Sequence, residues 1–379
     1  MANIYGPVFH ILARCRYDGN GCGAQEQGIK VPLENKFHDM VFGLVYDTFK
    51  RTKASKRQSI SVNVIYASLP INYPEYIDRD CSSILTLDIF PTDDSVVGLL
   101  GAYDNLPRYH HNCVELGRLA RLQVLPLRFN SLTGPIPTAL SNCSNLQILQ
   151  LSRNKLVGHI PWEFSKLSNL QNLYLWENRL NGEIPSSISN CTHLQIILDL
   201  DSNQFSGTVP LEFGKLLQLQ KLVLWGNHLV SGSSSLPILE ALTNCSSLEY
   251  IDLSLNNLTG IMPSTVGLLS TSLYYLGLAL NELEGYLADE IGNLTKLAEL
   301  QLRGNYFNRT IPSTLSILPN LERSYLNNNN LQGLIPRTLG QAKRLGLLAL
   351  SDNMLSRQIL DSLGDIPQLR VLLLHHNQL

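Results

Sequence analysis

Residues 173–185 read LYLWENRLNGEIP, and this stretch decides the fold. Leu173 and Leu175 alternate with Tyr174 and Trp176, which is the period-two pattern of a strand with one buried face. A polar corner marked by asparagine and a glycine-containing turn follow. If the leucines face the core, the two aromatic rings lie on the opposite face, where another molecule could reach them.

The same pattern, L-x-L-x-x-N-x-L/F, occurs eleven times in the chain, and its asparagines are spaced 24, 24, 25, 24, 29, 25, 24, 24, 24 and 24 residues apart. Most copies continue as x-L-x-G-x-I-P. A unit this short cannot bury its leucines alone, so the copies are predicted to stack around one continuous core. The corner asparagines, whose side chains can both donate and accept hydrogen bonds, are Asn130, Asn154, Asn178, Asn203, Asn227, Asn256, Asn281, Asn305, Asn329, Asn353 and Asn377.

The unit LxxLxLxxNxLxGxIP resembles the plant-type leucine-rich repeat over residues 116–379. The resemblance implies an α/β repeat fold: a right-handed, curved solenoid of 24-residue repeats with a parallel β-sheet on its concave face. The longer unit SGSSSLPILEALTNCSSLEYIDLSLNNLTGIMPSTVG is similar to a repeat of plant receptor-like kinases that include disease-resistance receptors. For such proteins the family implies a secreted ectodomain, one membrane helix and a cytoplasmic Ser/Thr kinase, of which this chain contains the ectodomain pattern.

The chain divides near residue 115. Residues 1–115 contain no repeat and are unassigned; partial disorder is one expectation, and SISVNVIYASLPI at 59–71 is the clearest predicted strand. Residues 116–379 are predicted to form the repeat domain, without a C-terminal cap because the last unit stops at LLLHHNQL. We therefore expect a segment of a longer receptor, or a truncated or misjoined product.

Composition and motifs argue against several function classes. The net charge of −2 gives no reason to expect nucleic-acid binding, and neither H-R-D nor D-F-G, the kinase signatures, occurs in the chain. We predict no catalytic activity, no cofactor and no bound metal. No signal peptide or run of 18 apolar residues is recognisable, so a cell-membrane or extracellular location rests on the family resemblance.

Cysteines and glycosylation sequons share one part of the unit. Cys143, Cys191 and Cys245 occupy a slot that other copies fill with apolar residues, so they are predicted to be small core residues. Cys143 and Cys191 should lie about 10 Å apart, beyond disulfide reach. Six sequons favour an extracellular origin, and only secretion would convert them to glycans: Asn142, Asn190, Asn244, Asn257, Asn293 and Asn308.

A recognition surface is predicted where residues four, two and one before each corner asparagine point outward and vary between copies. Exposed aromatic rings with a few charges are typical of binding hot spots. The alternative is that the rings cover neighbouring side chains on the sheet. The candidate ligand-binding residues are Tyr174, Trp176, Glu177, Asp199, Asp201 and Trp225.

Four other clusters carry weaker hypotheses. Asp199 and Asp201 could form an acid pair, but no nucleophile accompanies them, so solvated charge is favoured. His375 and His376, like HHNC at 110–113, lack a second spaced ligand set, so metal binding is disfavoured. KRTKASKR at 50–57 is interpreted as a solvated loop.

The leading prediction is a non-catalytic recognition module that binds a peptide or protein ligand on its strand face and a co-receptor with a similar ectodomain near its C-terminal end. A second candidate is a secreted inhibitor similar to polygalacturonase inhibitors, against which the missing disulfide caps and the long repeat argue. A third is an ice-binding repeat protein. That function requires a flat, regular array of outward residues, which the irregular sequence does not supply.

Overall fold

The computed structural model describes residues 117–359 and 361–379, which form a stack of eleven parallel strands. The predicted strand at 59–71, the partial disorder of the first 115 residues and the motifs at 50–57 and 110–113 lie outside the described residues. No helix of the described part is long and apolar enough to cross a membrane.

One strand from each unit joins a continuous parallel sheet, and the strands follow chain order. The register aligns like positions, as in Leu149 with Leu173 and Leu173 with Leu198. The predicted solenoid sheet is confirmed. Its strands are Val124–Pro126, Ile148–Gln150, Asn172–Tyr174, Ile197–Asp199, Lys221–Val223, Tyr250–Asp252, Tyr275–Gly277, Glu299–Gln301, Arg323–Tyr325, Leu347–Ala349 and Val371–Leu373.

A second row of short strands follows the asparagine corners, where the sequence predicted only a turn. Stacked copies of one turn bring their backbone groups side by side, so they pair in three small parallel sheets. Gly182 adopts φ +76° there, and a Cβ would collide with the ring of His159. The short strands are Thr133–Gly134, Lys155–Gly158, Arg179–Glu183, Gln204–Thr208, His228–Val230, Thr259–Ile261, Glu282–Gly285, Tyr306–Phe307, Gln332–Gly333 and Met354–Leu355.

The return segments are helical. In the third unit Pro185 precedes a 3₁₀ turn at φ −68°, and its carbonyl accepts the N–H of Ile188 at 3.1 Å. The 3₁₀ helices are Thr138–Asn142, Trp162–Lys166, Ser186–Asn190, Leu211–Lys215, Ser264–Leu268, Asp289–Asn293, Ser313–Ile317, Arg337–Gln341 and Asp361–Asp365. The long repeat instead contains the α-helix Pro237–Leu242, because its extra residues after Asn227 leave room for a fuller turn.

The core runs between the strands and the helices. Leu173 and Leu175 are fully buried, and so are Cys143, Cys191 and Cys245. Burial raises the pKa of Cys191 to about 12. The prediction that these cysteines are core residues is confirmed.

The corner asparagines bind their own unit and the preceding one. The Nδ2 of Asn203 donates to the carbonyls of Leu200, at 3.2 Å, and of Leu175 one unit earlier, at 3.0 Å. Its Oδ1 accepts the N–H of Leu180 at 3.0 Å. The same pattern repeats from Asn154 to Asn377. We call this series the asparagine ladder.

Replacing a buried member of the ladder should destabilise the fold more than replacing an exposed one. Asn203→Ala would leave buried backbone groups of two units without partners, at a cost of about 3 kcal/mol. Asn130 is the matched control, since among the described residues its exposed side chain donates to Leu127 and Arg128 of its own turn. Urea unfolding followed by circular dichroism would compare the two variants. Equal destabilisation would contradict the bridging role of the ladder.

One position of the leucine core holds a serine. Ser324 aligns with Leu300 and Leu348 on the neighbouring strands and is 1% exposed. Its hydroxyl is buried without a hydrogen-bond partner. A buried, unsatisfied hydroxyl opposes folding.

Ser324→Leu should therefore stabilise the protein. The change restores the side chain that both neighbouring units carry and removes the unsatisfied hydroxyl, so the free energy of unfolding should rise by about 2 kcal/mol. The same substitution at the exposed Ser206, on the short strand Gln204–Thr208, is the control and should give no gain. A lower urea midpoint for Ser324→Leu would mean that the site has no room for the larger side chain.

Candidate functional site

Parallel pairing arranges the candidate binding residues in two rows across adjacent strands. Tyr174 pairs with Asp199 in the first row. Trp176, Asp201 and Trp225 form the second row, on three consecutive units joined by backbone hydrogen bonds. We call the whole set the strand-face patch: Tyr174, Trp176, Glu177, Asp199, Asp201 and Trp225.

Trp176 is held by its neighbours. Its ring meets Phe129 edge to face, with centroids 6.0 Å apart and planes at 87°. The guanidinium of Arg153 lies 5.1 Å from the centroid of Phe129 and 5.8 Å from that of Trp176, and it also pairs with Glu177. The alternative hypothesis, that rings cover neighbouring side chains, therefore describes Trp176 well.

Trp225 has a different environment. Its side chain is 38% exposed, and it takes part in none of the ring contacts between described residues. Within the strand-face patch it offers the larger free aromatic surface. Trp162, which is 62% exposed, lies on the outer 3₁₀ helix Trp162–Lys166 and away from the strand face.

Three carboxyl groups, those of Asp199, Asp201 and Asp252, lie on the strand face around Trp225. The carboxylate of Asp199 accepts the backbone N–H of Asp201 at 3.4 Å. Asp252, two strands beyond Asp199, accepts the hydroxyls of Tyr250 at 3.4 Å and Tyr275 at 3.2 Å. None of the ion pairs between described residues includes these three aspartates. The cluster is thus mainly acidic, and Lys221, on the strand between Asp199 and Asp252 and in register with Tyr250, is a neighbouring cation.

Burial changes the acidity of this cluster. Burial raises the pKa of Asp201 from 3.8 to about 7, against hydrogen bonds from Asp199 and Ser202 that lower it. Burial and the neighbouring Asp201 also raise the pKa of Asp199 well above its usual range. Burial raises the pKa of Asp252, partly offset by its hydrogen bonds to Ser254 and the tyrosines. Two close carboxyls that both resist ionisation hold a proton near neutral pH.

The hypothesis that Asp199 and Asp201 are solvated charges is therefore wrong. Both side chains are only partly exposed, because neighbouring strands carry residues on the same face. The sequence reasoning also missed Tyr250, Tyr275 and the role of Asp252. The rings of Tyr250 and Tyr275 stack with centroids 4.0 Å apart and planes at 4°. The sequence did contain a signal for the two tyrosines. The alternation of outward-facing residues extends to the sixth residue before each corner asparagine, and Tyr250 and Tyr275 occupy that position.

The candidate glycosylation sites lie on the surface. Asn142, Asn190, Asn244 and Asn293 are exposed at or just after the outer helices, away from the strand face, and Asn257 is exposed as well. Asn308 is half-buried. The prediction that four sequons lie on the outer surface, away from the strand face, agrees with the positions of Asn142, Asn190, Asn244 and Asn293. Glycosylation itself stays a prediction.

Comparisons with known proteins identify the repeat. Family models described as leucine-rich repeat match residues 120–180, 196–216 and 247–269. The LRR receptor-like serine/threonine-protein kinase EFR of Arabidopsis thaliana is 37% identical over 72 residues, which is 19% of this chain and 7% of that protein. The chain contains a leucine-rich repeat domain.

Comparison with solved structures indicates which kind of leucine-rich repeat domain this is. The plant peptide hormone receptor RGFR1, determined in complex with RGF2, is 37% identical with a TM-score of 0.66, over 70% of this chain and 41% of that one. The repeat domain is thus of the kind found in ectodomains of plant leucine-rich repeat receptor kinases. The chain spans less than half of either relative's length.

The same fold also serves another purpose. A plant ice-binding protein is 27% identical with a TM-score of 0.54, over 67% of this chain and 83% of that one. Function must therefore be argued from the side chains of the strand face, because one fold can carry unrelated functions.

The acidic cluster makes the stability of the protein depend on pH. Asp201 loses its proton near pH 4 in the unfolded chain but only near pH 7 in the folded state. Between these pH values the folded state binds more protons than the unfolded chain, so stability falls as pH rises through that range. Asp201→Asn should remove the contribution of Asp201 to this dependence, while those of Asp199 and Asp252 remain. We expect it to add about 2 kcal/mol to the free energy of unfolding at pH 8 and little near pH 4.

Urea unfolding at pH 4 and pH 8 measures this effect. The control is Asp365→Asn, because Asp365 is exposed on the outer helix Asp361–Asp365 and outside the acidic cluster. An equal gain for Asp201→Asn at both pH values would show that its carboxyl is not proton-linked to folding.

Proposed function

We propose that this chain is a non-catalytic recognition module that binds a peptide or protein ligand on the strand-face patch, as the extracellular part of a plant receptor kinase would. The observation that carries the proposal is a group of three aspartates, Asp252 buried and Asp199 and Asp201 partly buried, next to the exposed ring of Trp225. Such a surface fits a ligand with a positively charged group, a lysine, an arginine or an amino terminus.

Electrostatics support this ligand chemistry. Removing carboxylates from water is costly, and an arriving cation would compensate by stabilising their ionised form. The ring of Trp225 adds an apolar surface and a π face that attract the same cation. The bound ligand would therefore lower the pKa of Asp201 and release a proton.

The surface argues against ice binding. Along the second row the side chains run from Trp176 through Asp201 to Trp225 and then to the buried Ser254, so size, charge and exposure change at every step. An ice-binding face needs similar residues at equal heights. No described feature favours the inhibitor alternative.

The relatives support a proposal for location and partners. RGFR1 was solved with RGF2, and EFR is a receptor-like kinase. By analogy the present domain would face the outside of a plant cell, with its exposed sequons available for glycans and a co-receptor as a further partner. Full-length relatives carry a kinase, and the kinase activity of any larger protein belongs to that part.

Panning of a phage-displayed peptide library at pH 8 tests the function. Enriched peptides should carry lysine or arginine, and Trp225→Ala should weaken their affinity at least tenfold, about 1.4 kcal/mol. Binding of the same peptides should weaken from pH 8 to pH 5.5, because Asp201, with a pKa of about 7, is protonated at the lower pH.

Trp162→Ala is the matched control, because that exposed ring lies on the outer helix. Biolayer interferometry with both variants and thermal unfolding of each separates lost binding from lost folding. Peptides without basic residues, or equal losses for the two variants, would refute the strand-face patch as the binding site.

A further inference from the structure

Two histidines and an aspartate converge at the C-terminal end of the strand face. We propose that His375, His376 and Asp352 bind a divalent transition-metal ion, with Zn²⁺ as the reference ion. The Nδ1 of His376 forms a hydrogen bond with Oδ1 of Asp352 at 2.6 Å, which a bound ion would replace, and the Nε2 of His375 lies 3.8 Å from Oδ2 of the same carboxylate. One potential ligand atom from each of the three side chains falls within 4.8 Å of the other two.

These distances suit a single ion. Zinc binds imidazole nitrogen and carboxylate oxygen at about 2.0–2.2 Å, so two ligands of a tetrahedral ion lie about 3.3 Å apart. When an ion replaces the hydrogen bond, the 2.6 Å separation of His376 and Asp352 would have to lengthen by about 0.7 Å and the 3.8 Å separation of His375 and Asp352 to shorten by about 0.5 Å. The side chains are 56%, 76% and 35% exposed for His375, His376 and Asp352, so small rotations can adjust them without disturbing the core.

The backbone explains why consecutive histidines face one side. In a strand, neighbouring side chains alternate between faces. His376, however, adopts a left-handed conformation with φ 56°, as the residue before the corner asparagine does in the other units. That turn directs His376 to the same surface as His375, and the two ring centroids lie 5.1 Å apart at 81°.

The third ligand comes from the preceding unit. Asp352 occupies the equivalent left-handed position, at φ 54°, and its backbone N–H donates to the His375 carbonyl at 3.0 Å. Asn377 holds this corner by donating to the carbonyls of Leu350 at 2.9 Å and Leu374 at 3.0 Å. The site is thus built on the asparagine ladder, which positions its ligands before an ion arrives.

The sequence disfavoured metal binding because the histidine pair lacked another ligand nearby. Asp352 is 23 residues before His375 in the chain, and only the stacking of two units brings it close. Imidazole and carboxylate ligands suit zinc and copper better than calcium or magnesium, which prefer oxygen alone. Three protein ligands leave a coordination position open for water or for a donor group of another molecule.

The site is separate from the strand-face patch. Trp225 belongs to the fifth unit and His375 to the eleventh, so about 29 Å of sheet lies between them. Metal binding is therefore an additional property, independent of the peptide-binding proposal.

Isothermal titration of ZnCl₂ into the chelator-stripped full chain at pH 7.5 tests the inference. His376→Asn and His375→Gln should each weaken one zinc equivalent at least tenfold. Asparagine is chosen at position 376 because it tolerates the left-handed backbone. His228→Asn is the control, since His228 is exposed on a short strand outside the cluster, and it should titrate like the wild type.

Other zinc-binding groups in the chain would contribute equally to all variants, so the comparison isolates this site. Circular dichroism confirms that each variant is folded. ZnCl₂ should also raise the melting temperature of the wild type and of His228→Asn more than that of His376→Asn. Identical zinc isotherms for the wild type and both cluster variants would overturn the proposal. Equally tight binding of CaCl₂ in place of ZnCl₂ would overturn it too.

Discussion

The side-chain amide of the corner asparagine is the interaction on which this structure depends. Each buried asparagine donates to carbonyls in two successive units and accepts an N–H of the earlier one, as Asn227 does with Leu200, Leu224 and Phe205. Without it, each turn would leave backbone groups unpaired where water has little access. The leucines alone would favour collapse, whereas the asparagine ladder specifies how one unit is placed on the next.

Because the leucines and the asparagine ladder hold the scaffold together, the residue types at the outward positions can vary. The inward leucines and the asparagines are needed in every unit, but the residues that alternate with them contact mainly each other and solvent. Tyrosines, tryptophans and aspartates can therefore accumulate on adjacent strands. The half-buried Asp199 and Asp201 oppose folding at neutral pH, a cost that a large and regular core can tolerate.

The two candidate sites are built by the same geometry. In both, residues of successive units meet because the strands are in register and the position before each asparagine is left-handed. At Trp176 the neighbours complete a packed stack with Phe129 and Arg153. At Asp352 they bring a carboxylate to two imidazoles. Register thus converts a spacing of about 24 residues in the chain into side-chain contact.

The sequence by itself determined the repeat, the parallel sheet, the buried cysteines and the hydrogen-bonding role of asparagine. These follow from a strict period, because a repeated unit has one way to bury its leucines. Only the tertiary structure decided that Trp176 is packed while Trp225 is free, that Asp201 lies in an environment that raises its pKa, and that Asp352 reaches His376. These outcomes depend on which side chains stand beside each other across strands, and periodicity carries no information about that lateral packing.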